Sequence, residues 1–123
     1  MTERNGRFPR RRDEIEQLPG VGQYIANSIL LFSQRKAEPL LDVNMARVLE
    51  RLIGPRHLVD IRYDPHLQSV SRAIVRGNRA IELNWAILDL AALVCTRHTP
   101  QCDSCPVRSH CMFAKASKKS GPR

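Results

Sequence analysis

The sequence is short of aromatic residues, of acidic residues and of long hydrophobic runs. Phe, Trp and Tyr make up only 5% of the 123 residues, which argues against a single-strand-binding protein built on stacked aromatic platforms. No run of about 18 apolar residues occurs, and no helical segment pairs a bulky apolar face with a basic one, so neither a membrane span nor a membrane-surface helix is expected. The N-terminus shows no apolar signal segment, and we therefore expect an intracellular protein.

The deficit of acidic residues leaves a strongly basic chain. Twenty Lys and Arg residues against twelve Asp and Glu give a net charge of +8 and a pI near 10.0. Such a balance favours a polyanionic partner, and nucleic acid is the first expectation. A chain of 123 residues is one small domain or a piece of a larger protein. No repeat, low-complexity tract or strand pattern is present, which indicates an all-α fold.

All the cysteines fall in one short stretch, with the spacing C-x6-C-x2-C-x5-C: Cys95, Cys102, Cys105 and Cys111. Thiols so close in sequence can converge on one point with little loss of loop entropy, so one metal centre is expected. A structural zinc site usually pairs two short C-x2-C segments, and only Cys102 and Cys105 are so close. Two disulfides would need an oxidising compartment. A [4Fe–4S] cluster is favoured over both, although spacing rules alone identify only a four-thiolate centre.

The remaining sequence divides into a basic arm over residues 1–12, a helical domain over 13–94 and, after the cysteine loop at 95–111, a basic tail over 112–123. Acidic residues predict a short helix from Asp13 that ends before Pro19. Longer helices are predicted over 24–32, up to about Ile53, from Pro65 and over 79–94. The last of these is apolar around most of its circumference and should be buried on nearly all sides. Residues 114–123 are expected to be a solvated tail.

A glycine-containing turn precedes the helix predicted at 24–32. Two glycines around a valine allow a tight turn whose backbone N–H groups face outward at the start of a helix, where they can bind a phosphate oxygen. A corner that packs two helices, with no ligand, is the alternative. The residues in question are Pro19, Gly20, Val21, Gly22 and Gln23.

Three phrases and the cysteine spacing together resemble one family. Leu-Pro-Gly-Val-Gly-Gln-Tyr-Ile-Ala-Asn from Leu18, with Gly-Arg-Phe-Pro before it, is similar to the helix-hairpin-helix signature of the endonuclease III and A/G-specific adenine glycosylase family of DNA repair enzymes. Leu-Leu-Asp-Val-Asn-Met-Ala-Arg-Val-Leu from Leu40 and Asp-Leu-Ala-Ala-Leu-Val-Cys-Thr-Arg from Asp89 resemble two further segments of it. The resemblance implies double-stranded DNA with a mismatched or damaged base as partner. It also implies a structural [4Fe–4S] cluster loop, with zinc as the alternative metal.

The resemblance assigns catalytic roles to Asp42 and Tyr24. Asp42 matches the catalytic aspartate, which would stabilise the positive charge that develops on the sugar when an N-glycosidic bond breaks. An N-cap role for this carboxylate is compatible with that function. At Tyr24 the bifunctional members of the family carry a lysine that forms a Schiff base. Tyrosine forms no imine, so a hydrolytic, monofunctional glycosylase is expected, unless Tyr24 serves only in packing.

The resemblance covers residues 6–113 and only the C-terminal half of the family's catalytic domain. A mismatch-directed glycosylase is expected, with adenine opposite G or oxidised G as the favoured base and thymine opposite G next. A non-catalytic iron–sulfur fragment that binds DNA is the alternative. Without the other half of the catalytic domain, the apolar faces near residues 24–32 and 80–94 should be exposed to water. We expect the chain to self-associate or to need the missing half.

Overall fold

The computed structural model describes residues 9–119, and within that range it contains six α-helices and no β-strand. The helices are α1 (Arg12–Glu16), α2 (Gln23–Gln34), α3 (Val43–Ile53), α4 (Pro65–Val75), α5 (Ala80–Leu93) and α6 (Met112–Lys119). The predicted all-α fold is confirmed, with α1 to α5 close to their predicted positions. Residues 1–8 of the basic arm predicted at 1–12 lie outside the described residues, and α1 begins at Arg12, the last residue of that arm. No helix of the described part is long and apolar enough to cross a membrane.

Helix boundaries follow sequence signals that act locally. The Asp42 carboxylate accepts a hydrogen bond of 2.8 Å from Met45 N at the start of α3. Asp64 does the same for α4, accepting from Leu67 N at 2.9 Å, and Pro65 occupies the first turn. Both aspartates satisfy a backbone donor that the helix itself leaves without an acceptor. The capping role predicted for Asp42 is therefore confirmed.

The main core lies where α3, α4 and α5 meet, and one face of α2 completes it. Its largest fully buried side chains are Leu31, Met45, Leu49, Leu67 and Val75. A smaller cluster joins α1 to α2 through Ile15, Ala26 and Leu30. Because α3 packs against α4, α5 and α6, it is the helix around which the other elements are arranged.

An extended segment of Glu38, Pro39 and Leu40 leads into α3 and is held by polar side chains from two helices. Asn27 of α2 donates to Pro39 O at 2.9 Å. Asn84 of α5 accepts from Leu40 N at 2.6 Å and donates to Glu38 O at 3.1 Å. Both asparagines are buried, so each satisfies backbone groups that water cannot reach. These bonds hold the chain just before Asp42.

The predicted burial of α5 is wrong in extent. Ala80, Asn84 and Ala91 are buried, but Trp85 is 54% exposed and Leu93 is 70% exposed. Phe32 of α2 is 43% exposed, and its ring centroid lies 6.1 Å from that of Trp85. The helices of this chain cover only one side of α5. The prediction that the apolar faces near 24–32 and 80–94 meet water is confirmed.

The predicted solvated tail is also wrong over residues 114–119, because α6 begins at Met112 and continues to Lys119. Ala114 is buried, and α6 packs against α3. The ring of Phe113 lies under the Arg51 guanidinium, 4.9 Å from its central carbon. The basic residues of this segment suggested a solvated tail, but the segment also carries a short apolar stripe that α3 covers. Residues 120–123 lie outside the described range.

Candidate active site and cysteine site

A tight turn leads from α1 into α2. Val21 N donates to Leu18 O at 3.2 Å, and Gly20 has φ +76°. A positive φ at the third residue, after a proline, is the requirement of a type II turn, so Gly20 is needed for its backbone conformation. A Cβ atom at Gly20 or Gly22 would meet no atom within 4 Å.

Helix α2 begins at this turn without a side-chain cap. Gly22 is the N-cap residue and makes no side-chain hydrogen bond to the first turn. In such a helix the first backbone N–H groups are left for a ligand or for water. The turn thus has the form of a helix start that can bind an anion, and the DNA contact of residues 19–23 stays a prediction.

An open cleft next to this turn contains both predicted catalytic residues. Tyr24 from α2 and Asp42 at the start of α3 line it together with Gln23, Leu41 and Val43. The opposite wall is formed by the loop between α3 and α4, through Asp60, Ile61 and Arg62. Tyr24 is 41% exposed, so its ring is available to the cleft and is not a core residue.

The Asp42 carboxylate is held in one direction by its own helix. Oδ1 accepts from Met45 N at 2.8 Å, and Oδ2 lies 3.4 Å from Asn44 Nδ2. Asn44 in turn accepts from Arg47 Nη1 at 3.0 Å. A half-buried carboxylate fixed in this way can face developing positive charge without first having to reorient.

The loop wall of the cleft rests on Asp64, which is fully buried. In addition to Leu67 N, its carboxylate accepts from His57 N at 2.6 Å and from Leu58 N at 2.7 Å. Burial by itself raises the pKa of Asp64, but these three backbone donors and nearby His57 outweigh it and hold the pKa below its ordinary value. The ionised carboxylate therefore organises the loop.

Two glutamines tie the same wall to the turn. Gln23 and Gln68 are hydrogen bonded to each other at 3.0 and 3.3 Å. Gln23 also donates to Arg62 O at 3.3 Å, and Gln68 donates to Ile61 O at 3.1 Å. A residue predicted to contact DNA is thus also part of the support for the cleft.

Residues 54–63, which join α3 to α4, were not predicted to be part of the site. Asp60 and Arg62 form a two-point ion pair, with Nη2 to Oδ2 at 2.7 Å and Nε to Oδ1 at 3.1 Å. The hydrogen bonds from Arg62 lower the pKa of Asp60 below its ordinary value. An Asp-x-Arg pattern in a basic chain is the one signal that could have drawn attention to this loop.

All four cysteines line a single cavity at the other end of α3, as predicted. Val94, Phe113 and Ala114 contribute apolar surface to the same cavity. Cys95, Cys105 and Cys111 form no disulfide. Over residues 9–119, no three His, Cys, Asp or Glu side chains come together as one metal ion would require.

Two histidines, His98 and His110, belong to the cysteine loop by sequence but do not line its cavity. Both are exposed. His110 Nδ1 lies 3.1 Å from the Ser109 hydroxyl.

Arg47 of α3 reaches across to the end of α5, where the cysteine loop begins. Its Nη2 donates to Ala91 O at 2.9 Å and its Nε to Cys95 O at 3.1 Å. The last carbonyls of a helix have no N–H donor within the helix, so a cation there can bond to them and interacts favourably with the helix dipole.

Arg51, one turn further along α3, holds the loop itself. It donates to Thr96 O at 2.7 Å and to Arg97 O at 2.9 Å, and its Nη1 lies 3.4 Å from Cys95 Sγ. Cys111 Sγ donates to Arg51 O at 3.3 Å. No role was predicted for either arginine, although two arginines four residues apart on one helix were a usable signal.

Comparison with protein families and curated proteins gives a consistent set of relatives. A helix-hairpin-helix motif matches residues 3–32. A thymine-DNA glycosylase of Aeropyrum pernix is 40% identical over 111 residues, which are 88% of this chain and 50% of that protein. A thymine/uracil-DNA glycosylase of Pyrobaculum aerophilum is 40% identical over 116 residues, covering 89% and 49%. An adenine DNA glycosylase of Mycolicibacterium smegmatis is 32% identical over 92% of this chain and 38% of its own length.

Solved structures agree with these relatives. A thermostable thymine-DNA glycosylase superposes with a TM-score of 0.84 at 25% identity, covering 94% of this chain and 53% of that one. A non-covalent endonuclease III–DNA complex gives 0.76 at 25% identity, covering 97% and 54%. The chain thus spans about half the length of the thymine-DNA glycosylases that it matches.

Proposed function

We propose that this chain, a relative of the helix-hairpin-helix DNA glycosylases in sequence and in fold, acts in base excision repair as a DNA glycosylase. The observation that carries the proposal is the cleft shared by Tyr24 and Asp42 beside an uncapped helix start. A DNA backbone bound at that helix start would bring a nucleotide to the cleft. The partner of the chain is then double-stranded DNA with a mismatched base. The chain would act inside the cell, where that DNA is found.

In this proposal the turn grips the backbone and Asp42 performs the chemistry. Backbone N–H groups at the start of α2, those of Gly22 and Gln23, contact a phosphate, which positions the protein without reading sequence. A base extruded from the duplex enters the cleft. As the N-glycosidic bond breaks, the sugar becomes positively charged, and the fixed Asp42 carboxylate stabilises that charge or orients the attacking water.

Tyr24 makes the reaction hydrolytic. A phenol cannot form the imine that leads from base release to strand cleavage, so the product is an abasic site in an intact strand. With its ring on the cleft, Tyr24 lines the pocket for the extruded base.

The relatives support thymine opposite G as the first candidate base and adenine as the second. The thymine-DNA glycosylase of Aeropyrum pernix and the thymine/uracil-DNA glycosylase of Pyrobaculum aerophilum are both 40% identical to this chain, whereas that of Methanothermobacter thermautotrophicus is 27% identical. The adenine glycosylases of Arabidopsis thaliana and Mycolicibacterium smegmatis are 30% and 32% identical. From the sequence alone the opposite order was expected, with adenine first and thymine next.

We infer a [4Fe–4S] cluster, held by Cys95, Cys102, Cys105 and Cys111, in preference to a zinc ion. Zinc–sulfur bonds of about 2.3 Å draw four thiolates tightly around one point. The four thiols line a common cavity, which suits a larger four-iron centre. The bound group would cross-link a loop that otherwise consists of two short 3-10 turns.

The exposed face of α2 and α5 supports a second polypeptide as a partner. Phe32, Trp85 and Leu93 expose a large part of their apolar surface, and such patches mark contact sites in soluble proteins. We expect the isolated chain to self-associate through this face when no other polypeptide covers it. Light scattering over a range of concentrations tests this, and a monodisperse monomer at every concentration would refute it.

A single-turnover base-release assay tests the proposed activity. Anaerobically purified chain of known iron content is mixed with duplexes that carry T·G, A·G and A·oxidised-G mismatches. Products are separated before and after alkali, because an abasic site becomes a strand break only in alkali. Breaks that appear only after alkali establish a hydrolytic glycosylase and identify its base. An iron-loaded chain that binds duplex and releases no base is a DNA-binding fragment.

A further inference from the structure

The cleft has an unusual balance of charge for a site that takes a nucleotide. Of its eight lining residues, Asp42 and Asp60 carry carboxylates and Arg62 is the only cation. A nucleotide brings at least one phosphate with it, and two carboxylates repel that charge. Arg62 is therefore the one group in the cleft that can offset the repulsion.

Arg62 is held at its backbone by a residue of the turn and is exposed at its guanidinium. Its carbonyl accepts from Gln23, a residue of the turn that is proposed to bind phosphate. Its side chain is 57% exposed, is paired with Asp60 through two bonds and packs on the ring of Tyr63 at 5.3 Å. The guanidinium thus stands next to the turn on a loop that Asp64 and Gln68 hold in place.

The way in which Arg62 binds Asp60 is also the way in which a guanidinium binds phosphate. Two parallel N–H groups match the oxygens of either anion, so one can replace the other without a change in geometry. An exposed ion pair contributes little to stability, because water screens it and both side chains lose freedom. Exchange of Asp60 for a phosphate therefore costs little.

We propose that Arg62 is a substrate-binding residue, which leaves Asp60 and binds a phosphate beside the nucleotide whose base is released. Asp60 holds the guanidinium at the cleft until DNA arrives. This assignment rests on the proposed function, since it supposes that an extruded nucleotide occupies the cleft. It adds a second phosphate contact, on the loop that Gln23 ties to the turn.

Binding assays that do not depend on catalysis test the assignment. Affinity is measured by fluorescence anisotropy for a duplex with a central tetrahydrofuran abasic-site analogue and for the same duplex without it, at several salt concentrations. Arg62→Gln should bind the abasic duplex on the order of tenfold more weakly, and its plot of log affinity against log salt should be shallower by about 0.9. Its preference for the abasic duplex should shrink.

Two further variants sharpen the result. Arg79→Gln is the matched control, because Arg79 is also exposed and paired, with Glu82 at 3.6 Å, but lies outside the cleft. It should leave the preference for abasic DNA unchanged. Asp60→Asn should bind the abasic duplex a few fold more tightly, because the carboxylate that competes with phosphate is gone.

Equal losses in Arg62→Gln and Arg79→Gln, or weaker binding by Asp60→Asn, would overturn the role of Arg62. Failure of the proposed function can be distinguished from failure of the role of Arg62. If the unaltered chain binds abasic DNA with the predicted dependence on Arg62 but releases no base, Arg62 keeps its role and the catalytic proposal is lost. If base release occurs and Arg62→Gln binds like the unaltered chain, only the role of Arg62 is lost.

Discussion

The two ends of α3 hold their functional side chains in different ways. At the N-terminal end, the Asp42 carboxylate contacts Met45 and Asn44, which are three and two residues away. At the other end, Arg47 and Arg51 bond to backbone groups 44 to 48 residues away. The Asp42 carboxylate is therefore oriented by a short piece of sequence, whereas the cysteine loop is oriented by the packing of separate helices. Arg47 bonds at both ends, to Asn44 and to Cys95 O, whereas Arg51 bonds to the cysteine loop. Damage at Arg51 should therefore leave the Asp42 end intact.

The largest effect is expected from Asp42→Asn. Asparagine caps a helix as well as aspartate does, so thermal stability should change little. Base release should fall by about 10²–10³-fold, because the charge that stabilises the transition state is lost. Single-turnover assays measure this, with Asp89→Asn on the exposed side of α5 as the control. Unchanged base release in Asp42→Asn would remove the catalytic assignment.

Arg51→Leu should damage only the cysteine end. The Thr96 and Arg97 carbonyls lose their donor, which we expect to lower the free energy of unfolding by about 3 kcal/mol. Iron content should fall, while folded protein keeps its base-release rate per molecule. Iron analysis and thermal unfolding test this against Arg97→Leu, in which only a side chain outside the cysteine cavity changes. Full iron content in Arg51→Leu would contradict it.

Asn84→Ala tests whether the Asp42 end is purely local. The Leu40 N–H loses its buried acceptor, so the free energy of unfolding should fall by about 2 kcal/mol. If local contacts suffice, base release by the folded fraction should remain within about twofold. Chemical denaturation and single-turnover assays measure both quantities, with exposed Asn78→Ala as the control. A large loss of rate would show that tertiary contacts also orient Asp42.

The smallest effect is a pH dependence at the wall of the cleft. The pKa of Asp64 is lower in the folded chain than in the unfolded chain, so its contribution to stability is complete above the ordinary aspartate pKa. It is lost as the pH falls from there through the folded pKa. The stability difference between the unaltered chain and Asp64→Asn should shrink over that range in denaturation curves recorded at successive pH values. A constant difference would contradict this.

Much of the site followed from local sequence signals. A capping aspartate, a proline in the first helical turn and a Pro-Gly turn each act over three or four residues, so the helices and the place of Asp42 could be predicted. The four cysteines were expected at one cavity because little chain separates them. Asp60 and Arg62 could not be placed, since only the folding of α2 against the loop through Gln23 and Gln68 brings them to Tyr24.

The sequence by itself determined the all-α class, the turn at Gly20, the cap at Asp42 and the grouping of the cysteines, because each depends on interactions between residues close in the chain. Only the tertiary structure decided the rest. It made α6 a helix by covering Ala114, it left Trp85 and Leu93 in water, and it used Arg47 and Arg51 to fasten the cysteine loop. Burial and long-range hydrogen bonds depend on which surfaces meet, and periodicity along one helix does not reveal its neighbours.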